Sequence, residues 1–462
     1  MRAQKFVRGL VLTGLAAAPG MAQKQTPPAG GAPKAFTVPA HESYALANGL
    51  KVTLVPYGNI PKVTISLALR GGNIDEARDQ LGVADITGEL LKEGTTTLSS
   101  KEVAEAAARM GSTLAVTVGA DETTAAMDVL SESGPAAVKL LADVVEHPLL
   151  PESEIARLKT NILREIAVAK TQPGQIALAR FRKLLYGDHP YGDVLPTEET
   201  VNKLTIADAK KFYAGNYGAS RARLYVAGKF DAAAVKKAIA ENFSGWAKGS
   251  PVVDRAPTPK TQRILDVTDR PGAPQSTLYV GLPVADPTSP DNVRLIVSNS
   301  LLGGSFASRI TANIREQKGY TYSPRSQVSS RYHDAYWVEI ADVTTKDTGA
   351  SLKEIFGEIT RLQNEAPGAD ELKGIQSYLS GIFVIQNSTR QALIGQLRFV
   401  DLQGLGEDYL KSYVQRVNAV TPDEVKQTTA KYIKPELMTI VVVGDKAKVG
   451  EQLASYAGDA AK

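Results

Sequence analysis

Apolar and polar residues alternate with a period of two over Leu50–Pro56, just after the turn at Asn48-Gly49. They alternate again over Lys62–Arg70, before Gly71-Gly72, so both stretches read as strands. From Gly82 to Glu93 the spacing becomes helical, and Gly94 closes the run. Ser99-x-x-Glu102 is a capping box that opens a helix through Met110. Two alternating strands lie between Ser112 and Leu130, around Gly119-Ala120-Asp121. Helices follow at about 133–146, at 151–170 behind Pro151, and at 174–186. Thr205 caps a helix through Tyr213, and Arg223–Gly228 reads as a buried strand.

The segment 245–262 holds Pro251, Pro257 and Pro259 and few apolar residues, which marks a linker. Beyond it the pattern repeats. Val201-Asn202-Lys203-Leu204-Thr205 matches Val417-Asn418-Ala419-Val420-Thr421 at an offset of 216, and Leu224–Gly228 matches Ile440–Gly444 at the same offset. Pro61-Lys62-Val63-Thr64 faces Pro274-Gln275-Ser276-Thr277 at 213, and Leu90-Leu91 faces Leu301-Leu302 at 211. Ordered matches with drifting offsets are what a duplicated domain with small insertions produces. Strands and helices come in runs, so the expected class is α+β with mainly antiparallel sheets. Two homologous α/β domains are expected at 42–248 and 263–462, joined by a linker at 249–262.

At 462 residues, the chain is long enough for two such cores. There is no cysteine, which excludes disulfides, thiol catalysis and thiolate metal sites. The four histidines, His41, His147, His189 and His333, are too far apart in sequence to form a local metal pair. Arg2, Lys5 and Arg8, the apolar run Leu10–Ala18 and the small residues Gly20-Met21-Ala22 form a signal peptide over 1–22, cut after about Ala22. An exported, periplasmic product follows from it. Losing those three basic residues takes the formal charge from +4 to +1, so the basic balance says little about partners. No basic run interleaved with aromatics points to nucleic acid. No apolar run approaches the ~18 residues of a membrane span. Residues 23–41 are rich in Pro, Gly and Ala and read as a disordered leader.

Asp85 and Glu89 stand four residues apart on the Gly82–Glu93 helix and so share a face. Glu165 lies 76 residues after Glu89, in Leu163-Arg164-Glu165-Ile166. Solvated or salt-bridged carboxylates are the plain reading of the three, and an all-oxygen site for a hard cation the alternative. Further strings stand out: Gly82-x-Ala84-x-x-x-x-x-Leu90-Leu91-x-x-Gly94-Thr95, Tyr186–Gly192, Leu302–Arg309, and Ile314-Arg315-Glu316-Gln317-Lys318-Gly319-Tyr320-Thr321-Tyr322-Ser323. Together they resemble the pitrilysin/insulinase family of inverzincin metallopeptidases, in its mitochondrial-processing-peptidase-like branch. The resemblance covers about 42–450.

The resemblance implies half of a clam-shaped chamber, with zinc held by H-x-x-E-H and a later glutamate. Here Asp85, Gly88 and Glu89 occupy those three positions, and only Glu165 remains of the ligands, so no metal is expected in this chain. Leu158 sits where active members often carry a supporting glutamate. Arg315 and Tyr322 match the family's arginine-tyrosine pair, which holds substrate backbone and stabilises the oxyanion. Gly303 and Gly304 form either a close backbone approach to substrate or a helix–strand turn. What is implied is a non-catalytic, substrate-binding subunit, inactive alone. It supplies Arg315 and Tyr322 to a homologous H-x-x-E-H chain that carries the zinc, and its substrates are unfolded peptides. A binding or scaffold protein of the same fold, and an autonomous peptidase with a rebuilt metal site, are the alternatives.

Overall fold

The structure is a computed structural model that describes residues 37–406 and 408–457. The expected signal peptide and residues 23–36 of the expected leader lie outside the described residues. Past them, Val38 is buried in an apolar cluster with Val55, Ala68 and Tyr225.

Two mixed sheets form the frame. The first contains β1 (Glu42–Ala45), β2 (Lys51–Pro56), β3 (Lys62–Leu69), β4 (Ala115–Val118), β5 (Thr123–Leu130) and β6 (Ala222–Gly228), in the order β1-β2-β6-β3-β5-β4. The second contains β7 (Ile264–Asp269), β8 (Gln275–Val284), β9 (Arg325–Arg331), β10 (Asp334–Thr344) and β11 (Thr439–Gly444), in the order β7-β11-β8-β10-β9. With β1 set aside, the two orders are the same. In each, one pair is parallel (β2 with β6, β7 with β11) and the rest are antiparallel. The register repeats too. Thr64 pairs with Ala227, and Thr277 pairs with Val443, the positions 213 and 216 residues further on.

The central strands are buried on both faces, which is why β11, and β6 after Arg223, read as apolar runs. One face of the first sheet carries the helices Val83–Leu90, Gly134–Glu146, Ile206–Asn216 and Ala232–Phe243. The other face of each sheet is covered from across the molecule. The Pro173–Tyr186 helix of the first half lays Ala177, Phe181 and Leu185 on Tyr279, Tyr336, Val338 and Val441 of the second sheet. The Arg390–Leu402 helix of the second half packs on β3 and β6 of the first. Gly281 makes room for this exchange: a Cβ there would lie 3.0 Å from Phe181 Cζ and 2.2 Å from the Trp337 carbonyl oxygen.

Polar contacts tie the same seam. Arg390 pairs with Asp128, Arg398 with Glu122, Arg223 with Asp401, and the Tyr186 hydroxyl donates to Asp334. The proline-rich stretch after Trp246 has no regular structure until β7. It is held to the first half by the amide of Lys260, which donates to the Leu185 carbonyl, and by the Arg255 carbonyl, which meets His189 Nε2. Among the described residues no helix is long and apolar enough to cross a membrane.

Candidate functional site

The carboxylate helix runs Val83–Leu90, shorter than the expected 82–93, because Leu91–Gly94 unwinds into a turn. Gly82 precedes it at φ +92°, in the left-handed region that favours glycine. Asp85 is partly buried and accepts from Asn73 Nδ2 at 3.0 Å. Burial pushes its carboxyl above the ordinary range; the Asn73 hydrogen bond opposes this, and the nearby charges of Glu165 and Glu89 add to it. Glu89 pairs with Lys92 at 2.8 Å, as a salt-bridged carboxylate would. Glu165 lies exposed on the Ile155–Ala169 helix, where Leu158 is a core residue, 2% exposed.

Gly88 is packed tightly: a Cβ there would sit 2.5 Å from Val118 Cγ2. The space a glutamate base would need is filled by β4. Asp85 and Glu89 thus already have partners on this chain, and no base stands between them. Among the described residues no group of three His, Asp or Glu side chains lies placed to hold a metal ion. The donor set does not fit zinc.

The second half builds a different site. After the Asn292–Asn299 helix, Ser300–Gly304 winds as a wide π turn, and Thr311–Gln317 does so again. Such turns interrupt the regular helical ladder and are frequent at functional sites. Arg315 stands on the second turn. Its guanidinium lies 4.4 Å from the centre of the Phe306 ring and 5.1 Å from that of Tyr322, with Nε 3.3 Å from Glu316 Oε1. Contact with two rings holds the guanidinium, and with Nε turned to Glu316 its Nη groups are the donors left for a ligand. Both rings are open to solvent, Phe306 at 72% and Tyr322 at 79%.

Gly303, Gly304, Arg315 and Tyr322 all line one cleft of about 370 Å³, so the four residues singled out in the second half come together. Phe306 and Tyr378 line it as well. The sequence placed Phe306 inside a noted string without a role. Tyr378 comes from the Ala369–Gln386 helix, far along the chain, with no signal of its own.

Beneath this cleft lies a group the sequence did not reveal. Glu339 on β10 is fully buried, and neither of its carboxyl oxygens has a hydrogen-bond partner. Burial pushes its carboxyl well above the ordinary range, and Arg325 opposes this only in part. A Cβ at Gly303 would lie 2.6 Å from Glu339 Oε2 and from Ser326 Oγ, and one at Gly304 2.4 Å from Asn299 Nδ2. Asn299 Oδ1 in turn accepts from Ser326 Oγ at 2.7 Å and Trp337 Nε1 at 2.8 Å. Both glycines of the cleft floor are therefore required by close approach to a buried polar cluster.

Fold and sequence converge on one family. A model described as insulinase, peptidase family M16, matches residues 52–196, and one described as the peptidase M16 inactive domain matches 203–379. The chain belongs to peptidase family M16, the insulinase family. It is an inactive homologue within it.

The chain is similar to the uncharacterized zinc protease YmxG of Bacillus subtilis, 26% identical over 370 residues, covering 78% of this chain and 90% of that one. It is also similar to the non-peptidase homolog YmxG of Helicobacter pylori, 23% identical over 413 residues, covering 87% of this chain and 94% of that one. Among solved structures, the peptidase M16 inactive domain from Pseudomonas fluorescens superposes with a TM-score of 0.80 at 24% identity, covering 87% of this chain and 98% of that one. A protease from Helicobacter pylori gives 0.82 at 20% identity, with 88% and 100% covered. Both likenesses establish the shared fold.

Proposed function

We propose that this chain is the non-catalytic, substrate-binding subunit of an exported zinc metallopeptidase. Its partner is a homologous chain that carries H-x-x-E-H and the zinc. The observation that carries the reading is the contrast between the two halves. The helix that would hold metal has no base between its carboxylates, and its Glu89 is paired with Lys92. The cleft of the second half keeps a guanidinium held by two rings beside a phenol.

In this role Arg315 and Tyr322 bind the substrate backbone and donate hydrogen bonds toward the oxygen that gains negative charge. Fixed donors of that kind are worth ~3–4 kcal/mol each to a hydrolytic transition state. β9 is the edge strand of its sheet and begins at Arg325, which also lines the cleft. An unfolded peptide can add to that edge through main-chain hydrogen bonds. Export rests on the N-terminal residues 1–22.

The test is peptide hydrolysis by this chain, by an H-x-x-E-H homologue from the same organism, and by the mixture. The mixture is expected to exceed either chain alone, and Arg315→Ala or Tyr322→Phe in this chain to remove the gain by about 100-fold or more. A mixture no more active than the homologue alone would sink the subunit reading. Zinc-dependent cleavage by this chain alone would instead support a rebuilt metal site.

A further inference from the structure

A second cavity, of about 260 Å³, lies at the seam between the halves and shares no lining residue with the Arg315 cleft. Its charged and polar lining comes from Asn73, Glu76 and Asp85 at the start of the carboxylate helix, Arg182 and Asp193 further along the first half, and Arg331 at the end of β9. We propose that this cavity binds a small zwitterion, a free α-amino acid or a dipeptide. Its carboxylate would lie on Arg182 and Arg331, and its ammonium on Asp85 and Asp193.

The hydrogen bonds left open in the cavity carry the argument. Arg182 Nε and Arg331 Nε are both buried without an acceptor. Their remaining contacts are long: Arg182 Nη2 is 3.5 Å from the Tyr336 hydroxyl, and Arg331 Nη1 is 3.5 Å from the Ser330 carbonyl. Neither guanidinium has an ion pair among the described residues, whereas Arg157, Arg180, Arg309 and Arg390 all do. Two half-buried guanidiniums lining one cavity, each with a buried Nε that lacks an acceptor, call for an anion.

The acidic side is open as well. Asp193 gives Oδ1 to Lys183 at 2.8 Å, but its Oδ2 is buried with no donor. Asp85 accepts from the neutral Asn73 on one oxygen and has no ion pair among the described residues. Glu76, by contrast, is occupied: its Oε1 accepts from the amides of Gly82 and Ala84 at 3.0 and 2.8 Å.

Unmet donors and unmet acceptors in one cavity decide the ligand class. A phosphate would satisfy the arginines but meet the carboxylates of Asp85 and Asp193. A metal cation would satisfy the carboxylates but meet the guanidiniums. A ligand carrying both charges a few ångströms apart satisfies all four groups. The volume limits it to one or two residues, with Ile74, Leu81 and Val194 as an apolar wall for its side chain. Because Arg331 belongs to the second half and the other charged groups to the first, the ligand also ties the halves together. Binding to the folded state alone therefore raises the unfolding temperature. This inference does not depend on a peptidase partner.

The experiment uses the full chain without any partner. Thermal unfolding and titration calorimetry are run with each of the twenty amino acids and with Ala-Ala, then with the N-acetyl and C-amide forms of the best binder. The expected result is a concentration-dependent rise in unfolding temperature with at least one free zwitterion, lost when either end is blocked. Arg182→Gln and Asp85→Asn should each weaken binding by at least tenfold. If Arg182→Gln does not fold, by circular dichroism, Arg331→Gln takes its place. Three results would overturn the proposal: no shift and no heat with any of these probes, equal binding of the blocked forms, or unchanged binding in the folded variants.

Discussion

Arg390 grips Asp128 across the seam, with Nη2 2.9 Å from Oδ1 and 3.2 Å from Oδ2. Lys62 and Thr64 donate to the same carboxylate at 3.1 and 2.7 Å. Burial alone would raise the Asp128 carboxyl, but the hydrogen bonds from Thr64, Arg390 and Lys62 outweigh it and hold the group below the ordinary range. A depressed folded value means that this stabilisation is present above the unfolded pKa of ~3.9 and is lost as pH falls through the folded value. Arg390→Ala should cost about 1–3 kcal/mol at pH 7. The penalty should shrink in acid, as urea unfolding at pH 7 and pH 3 would show.

Glu339 obeys the opposite sign. Its folded value is raised by burial, so its contribution is complete below the unfolded pKa and is lost as pH rises through the folded value. Glu339→Gln keeps the shape and removes the ionisation. The variant should match the wild type near pH 4 and unfold at a higher temperature than it at pH 9. A difference in melting temperature that does not change with pH would refute the upward shift of this carboxyl.

Gly303→Ala would push a methyl against Glu339 and Ser326 and should cost about 1–3 kcal/mol. Gly381 is the control. It lies within the Ala369–Gln386 helix, and a methyl added there would meet nothing within 4 Å. Gly381→Ala should stabilise by roughly 0.5–1 kcal/mol, since glycine weakens a helix interior. Denaturant midpoints of the two variants measure both.

Restoring the metal motif should fail for a packing reason. In the variant Asp85→His/Gly88→Glu/Glu89→His, the new side chain at 88 meets Val118 Cγ2 at 2.5 Å from its Cβ. We expect a loss of about 1–3 kcal/mol from overpacking and less than one equivalent of zinc by elemental analysis. Adding Val118→Ala should recover part of the stability. Full zinc loading with Val118 in place would show that the site was never closed by packing.

The sequence carried the frame of the fold because the frame is local and repeated. The offsets of 213 and 216 residues between Thr64 and Thr277 and between Ala227 and Val443 foretell the register of the second sheet from the first. Caps at Ser99, Thr205 and Thr421 mark helix starts for the same local reason. The exchange of helices across the seam was not legible. The Pro173–Tyr186 helix carries Phe181 and Leu185 at helical spacing, and nothing in that spacing names the sheet that covers them. In the site, the Arg315 and Tyr322 string was legible as a contiguous motif. Glu339 was not, because one acid inside Trp337-Val338-Glu339-Ile340 reads as an ordinary polar position of an alternating strand. Only the packing of Gly303 above it shows that it is enclosed.

The exchange of helices also sets a timetable. The chain emerges from the ribosome with Phe181 about 260 residues ahead of Val441, a strand residue that covers it. At the ~5–20 residues per second of synthesis, that interval is on the order of ten to fifty seconds. Throughout it, the Pro173–Tyr186 helix has an apolar face and at most part of the sheet that covers it. The first half cannot be finished before the last strand of the second has been made, so the two halves mature as one unit, and the waiting helix is the segment a nascent-chain chaperone would meet.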